Sequence, residues 1–407
     1  MVYIYTISDK ALMGKQVNIL PSYLSECLFK NNLRIEQQTI ISTSSDFERQ
    51  LNISLKGNNI YIFLVDKAYE NLNAYIAKLT NCNILDNPYL KNALFDYYKK
   101  HNLVPTKDEE NEWKIPSLAR AIVNPNGTVQ GYIVSYKGDM FCVLPNNYND
   151  ARTMFDDVVL EFILNNQKKK YKSYTFKTFG LSESGITQII SDEIKNKYKI
   201  SINLFSKPFE VDIVLKSNAD NEHLEELAKN VLLKLDRFIY AVEDVPIEKV
   251  LYELLKLNDI KIGFVEDVTC GELLSRLNRQ ASDAKSYIAP SLVLTNSEYK
   301  KAKLLKNDNL NFETDIDANV VYNMAATYLK QNQADLVIAT VGTTTLSNNQ
   351  LAGLCFIAVG DRNEVHVYKN IFKGSHEEIV DCICTASFFY LIKKLKKNDF
   401  HFEQITV

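Results

Sequence analysis

Three features of the sequence predict an α/β fold spread over several domains. β-branched and aromatic runs, VYIYTI (2–7), LRIEQQTII (33–41) and IYIFLV (60–65), alternate with stretches of helical period, as in βαβ units around a parallel sheet. The same alternation returns after residue 245. A chain of 407 residues with 46% apolar content has material for two or three cores.

The elements follow in order. PSYLSECLFKNN and SDFERQLNISLKG supply the helical patterns between the first three strands. In AIVNPNGTVQGYIVSYKGDMFCVLP, Asn-Pro-Asn-Gly and Lys-Gly-Asp are turn signals, so it predicts strand–turn–strand–turn–strand. MFDDVVLEFILNN then reads as a helix closing a domain over 1–166. The charged stretch QKKKYKS (167–173) reads as a solvated linker. YTFKTFG, the helix SESGITQIISDEIKNKY, strands ISINLF and FEVDIVLK and the helix NEHLEELAKNVLLKLD make a small α+β domain over 174–242. A third domain, α/β over 245–407, opens with PIEKVLYELLKLN and the strand IKIGFVE. The helices GELLSRLNRQ, SEYKKAKLL and DANVVYNMAATYLKQN, the strands ADLVIATVG, LAGLCFIAV and EVHVYKNIF and a final helix complete it.

A net charge of −3 argues against direct nucleic-acid binding, which calls for a basic surface. No run of about 20 apolar residues predicts a membrane span, and MVYIYTISDK reads as a core strand, not a signal peptide. Seven unclustered cysteines suit reduced thiols and a cytoplasmic location. Cys382 and Cys384 lie on a helical pattern, where residues two apart do not face each other, so they read as buried thiols and not as metal ligands. Phosphate-loop, dinucleotide, zinc-protease and nucleophile-elbow motifs are absent, and neither a cofactor nor a metal is expected.

The order of motifs resembles the CinA (competence/damage-inducible) family over nearly the whole chain. SDKALMGKQVN falls where the family has GTELLLGQIVN, NPNGTVQG (124–131) resembles NPVGTAPG, and LPNNYNDARTMF resembles LPGPPSEMKPMF. FGLSES (179–184) is similar to FGIGES, VEDVTCGELLSRL to AESCTGGLLAARL, and ADLVIATVGTTT to ADLALAVTGIAG. The resemblance implies a molybdopterin-binding-like α/β domain, a small α+β domain and a C-terminal domain like nicotinamide mononucleotide deamidase. It also implies an amidohydrolase activity on nicotinamide nucleotides, an ADP-ribose pyrophosphatase activity in the N-terminal domain, homo-oligomers, and a link to the recombination protein RecA.

Departures from the family pattern gather at its functional loops. The motif Ser falls on Asp267, a Gly on Cys270, the Thr of the TGIAG loop on Val341, and two arginines on His376 and Val380. Glu266 keeps the motif Glu, Lys301 (or Lys300) the motif Lys, and Ser286 lies at or beside a family Ser, so these three are the catalytic candidates. A Ser–Lys pair serves as nucleophile and base when the Lys is desolvated, but Lys301 also reads as one of several solvent-facing lysines. Thr269, Gly271 and Gly342 are the ligand-binding candidates. Three carboxylates, Glu266, Asp267 and Glu272, surround a turn whose helix start would otherwise attract an anion.

In the first domain the third strand runs into VDKAYENLN without the family's glycines, so no backbone cradle for phosphate is expected. The echo VPTKDEE (104–110) reads as a solvated turn. The expectation from sequence is a catalytically degenerate pseudoenzyme retained for protein contact. Residual amidohydrolase activity and a nucleotide sensor are the alternatives.

Overall fold

The computed structural model describes residues 1–44, 46–51, 53–104, 106–166, 171–195, 199–294, 316–345 and 351–397. The chain divides into two units, Met1–Lys172 and Ser173–Val407.

In the first unit the apolar runs form β1 (Val2–Ile7), β2 (Ile35–Ile41) and β3 (Ile60–Val65). A small antiparallel pair, β4 (Ile84–Asp86) and β5 (Lys114–Pro116), flanks the helix Pro88–His101. Then come β6 (Arg120–Ile122), β7 (Gly131–Tyr136) and β8 (Asp139–Pro145). The main sheet runs β2-β1-β3-β8-β7-β6, with the first four strands parallel and the β8–β7 and β7–β6 pairs antiparallel. Both faces are covered by apolar clusters, as a largely parallel sheet requires. The chain leaves β1 for β2 on one side and returns to β3 on the other. That reversal opens a crevice at the carboxyl ends of β1 and β3.

Three expectations need correction. SDFERQLNISLKG gives one helical turn, Phe47–Gln50, and then extended chain. Phe47 and Leu51 are buried, and the buried Tyr61 hydroxyl accepts from Ser54 N and donates to Ser54 O, so tertiary partners replace the helical ladder. From VPTKDEE, Lys107–Glu110 open a 3-10 helix, Lys107–Trp113, which begins with a Thr106–Glu109 capping box and is anchored by the buried Glu112 and Trp113. The strand after the linker starts at Tyr171, three residues early. The rest of the basic run, 167–170, lies outside the described residues.

The second unit holds two sheets. β9 (Tyr171–Phe179), β10 (Ser201–Lys207), β11 (Glu210–Asn218) and β12 (Ile239–Ala241) are ordered β10-β11-β9-β12, packed on the helix His223–Leu235. β13 (Ile262–Glu266), β14 (Leu292–Val293), β15 (Leu336–Gly342), β16 (Leu354–Asp361) and β17 (Val365–Ile371) are ordered β14-β13-β15-β16-β17. β13 is parallel to β14 and β15, and the remaining pairs are antiparallel. The helices Ile247–Asn258 and His376–Lys397 cover one face, Ala318–Gln331 the other. Phe179, Tyr240 and Ala241 enter the core built around His376–Lys397. The segments 174–242 and 245–407 therefore share one apolar core while each keeps its own sheet. Cys382 and Cys384 are buried in it.

Candidate functional site

β13 repeats the topology of β1. The chain goes from β13 to β14 on one side and to β15 on the other, so a crevice opens at the carboxyl ends of β13 and β15. Register sets Glu266 beside Thr340 there, and both are 0% exposed. A carboxylate placed so deep needs several donors. Its Oε2 accepts from Thr269 Oγ1 at 2.7 Å, Gly271 N at 2.9 Å and Leu273 N at 3.1 Å, and its Oε1 from Leu274 N at 3.0 Å. Thr269 Oγ1 also lies 3.0 Å from Thr340 Oγ1. The start of the helix Glu272–Asn278 thus already holds an anion, supplied by the chain itself.

The turn is made by two residues with positive φ, Cys270 at 48° and Gly271 at 93°. Gly271 pays little for this, whereas Cys270 carries a Cβ in a region that L-residues disfavour. The Cys270 thiol is exposed and donates to Asp267 O at 3.2 Å. Of the three carboxylates expected to surround the turn, Glu266 is its internal cap. Glu272 pairs with Arg276 at 3.3 Å and Arg279 at 3.1 Å. Arg276 also meets Glu248 at 3.1 Å and Asp381, which ties three helices together. The turn is therefore not a bare patch of acid.

Asp267 N donates to Thr340 O at 3.2 Å, so the Asp267 position sits at the same edge. Val341, next along β15, points to the opposite face and is fully buried among Val265, Ala339 and Met324. Gly342 follows, paired with Cys355. A Cβ there would stand 2.8 Å from Leu354 O and Cys355 Cβ, so close strand packing by itself requires glycine. The loop Thr343–Thr345 leads away, and Thr344 Oγ1 lies 2.7 Å from His376 Nδ1 at the start of the last helix. Val380, one turn on, packs against the core.

Ser286 is elsewhere. It is exposed on a short 3-10 turn, Ala284–Tyr287, just before Ile288, which bridges Ile262 at the opposite end of β13. Four residues of strand put about 13 Å between that end and Glu266. Lys301 lies outside the described residues. A cleft of about 410 Å³ opens on the outer side of the helix Glu272–Asn278, lined by Gly271, Leu274, Ser275, Asn278, Lys285 and Ile288. Sequence reasoning missed Thr340, Thr344 and Arg276. Thr340 carried a signal, being the one polar side chain within the apolar run LVIATVG.

The crevice of the first unit is built alike. Ser8 Oγ donates to Asp66 Oδ2 at 2.7 Å, and Asn146 Nδ2 to Asp66 Oδ1 at 3.0 Å, joining the ends of β1, β3 and β8. Asp9 accepts from the Thr43 and Ser42 hydroxyls and from Thr43 N, and these bonds hold its carboxyl below the usual range. Glu112 is 6% exposed and accepts from Ala68 N at 2.8 Å and Gln130 N at 3.1 Å. Burial pushes its pKa up to about 7 against those bonds. Among the described residues, no cluster of His, Cys, Asp and Glu is placed to hold a metal, and no helix is long and apolar enough to cross a membrane.

The fold and both crevices thus define an α/β protein with two sites at topological switch points. Residues 244–395 match the CinA C-terminal domain. A protein of Caldicellulosiruptor saccharolyticus described as competence-damage inducible is 23% identical over 413 residues, 97% of this chain and 99% of the relative. A CinA-like protein of Sulfurihydrogenibium is 26% identical, spanning 88% and 89% of the two chains. The crystal structure of a CinA superfamily protein from Klebsiella pneumoniae covers 37% of this chain and 96% of its own, with 22% identity and a TM-score of 0.35. Residues 244–395 thus carry the CinA C-terminal domain, and the chain is similar to CinA-like proteins over nearly its whole length.

Proposed function

We propose that this chain is a catalytically degenerate CinA-like protein that works by contacting other proteins. One observation supports the reading most. Departures from three separate stretches of sequence, Asp267 with Cys270, Val341, and His376, fall on the elements around the carboxyl ends of β13 and β15. An amide hydrolase needs an activated nucleophile, a proton acceptor and donors for the oxyanion. Glu266, Thr269 and Thr340 satisfy one another, three N–H groups at the helix start are spent on Glu266, and the Ser286 turn lies near the other end of β13. The family resemblance suggests homo-oligomers and a protein partner such as RecA.

Residual hydrolysis of a nicotinamide nucleotide is the second reading, favoured by the cleft beside Lys285. An assay of ammonia release from nicotinamide mononucleotide separates the two. The expected result is no turnover by the unmodified protein. A Lys301→Ala variant should match it, and Asp267→Ser with Val341→Thr should not restore activity. Turnover that Lys301→Ala abolishes would sink the degenerate reading.

A further inference from the structure

The turn joining β10 to β11 puts a bulky residue where its geometry favours glycine. Lys207 pairs with Glu210, leaving a two-residue loop of Pro208 and Phe209. Proline first and a positive φ second is the pattern of a type II turn, whose second central position favours glycine. Here it is Phe209, with φ at 61°. A bulky residue at positive φ is an outlier, and such strain persists only where surroundings hold it. Phe209 is 38% exposed, so full burial in a core is not what holds it.

Its partner lies beside the candidate site. The ring stands edge-on to Phe372 with centroids 4.7 Å apart and planes at 87°. The Phe209 carbonyl accepts from Gly180 N at 2.8 Å, which fixes the turn to the end of β9. Phe372 is buried, follows β17 and precedes His376 by four residues. Its N–H donates to Gly353 O at 3.0 Å, and Gly353 N donates to Thr343 O at 2.8 Å. Gly353 has φ at 81°, and a Cβ there would fall 1.8 Å from Phe372 O, so the two backbones are locked together. Thr344 then meets His376.

We propose that the Pro208–Phe209 turn is a strap by which the β9–β12 sheet sets the Thr343–Thr345 loop against His376. Phe209 is a positioning residue: it holds Phe372, and Phe372 holds both sides of the Thr344–His376 contact.

Hydrogen exchange on the full-length protein tests this. Phe209→Gly removes the ring and also relieves the backbone, so overall melting should not fall. Exchange at Thr343, Gly353 and Phe372 should rise at least tenfold, and the His376 imidazole should shift in its nitrogen spectrum. Phe209→Asn, which also tolerates positive φ, should do the same, and Phe209→Leu should do it less. Unchanged exchange at those three amides would overturn the proposal. So would a uniform loss of protection across the second unit, since the ring would then be only a stabilising contact.

Discussion

The two sheets solve one problem with different donors. Each begins with a central strand, sends the chain to one side and then the other, and leaves a crevice at the carboxyl ends. Each fills that crevice with its own carboxylate. In the first unit Asp66 is half-buried and accepts from two side chains. In the second, Glu266 is wholly buried and accepts from three backbone N–H groups and one hydroxyl. Backbone donors at a helix start cannot be substituted away, so the Glu266 cap is built into the fold, whereas the Asp66 bridge depends on replaceable side chains.

Changes at the two edges would sharpen or break this contrast. Glu266→Ala has the largest expected effect. It strands buried donors, and a loss of about 3–5 kcal/mol is expected. Hydrogen exchange over Glu272–Asn278 reads it, and normal protection there would break the comparison.

Glu112 comes next. Its folded pKa of about 7 lies above its unfolded value, so its contribution is full below about pH 4.5 and is lost as pH rises through about 7. That is worth up to about 3 kcal/mol over this window. Trp113, its neighbour and the only Trp in the chain, reports it by fluorescence during urea unfolding. Glu112→Gln should remove this part of the pH dependence, and an unchanged profile would count against it.

Asp66→Asn keeps one acceptor at a half-exposed site, so a loss of about 1 kcal/mol is expected by the same fluorescence measurement. A loss as large as that for Glu266→Ala would mean the two crevices are equally dependent on their carboxylates. Smallest is Cys270→Gly, where relief of positive φ, less the added freedom of the unfolded chain, should give a gain of about 0.5 kcal/mol. Lower thermal stability of that variant would show that the Cys270 side chain is held by more than its bond to Asp267 O.

The sequence alone determined the alternating elements, the turns at Asn-Pro-Asn-Gly and Lys-Gly-Asp, the strand–turn–helix at Glu266 to Leu277 and the family resemblance. These rest on local period and turn chemistry, which a linear reading contains. It overextended the helix after Phe47 because the buried Tyr61 hydroxyl, not local propensity, decides where Ser54 bonds. It drew attention to Val341, but strand register placed Thr340, not Val341, beside Glu266. It grouped Ser286 with Glu266, yet the pairing of Ile288 with Ile262 holds the Ser286 turn near the end of β13 opposite Glu266. Only tertiary structure decided which carboxylates are caps, which are paired with arginine, and that Phe209 meets Phe372. Those contacts join residues far apart in the chain, and no local pattern encodes the register that brings them together.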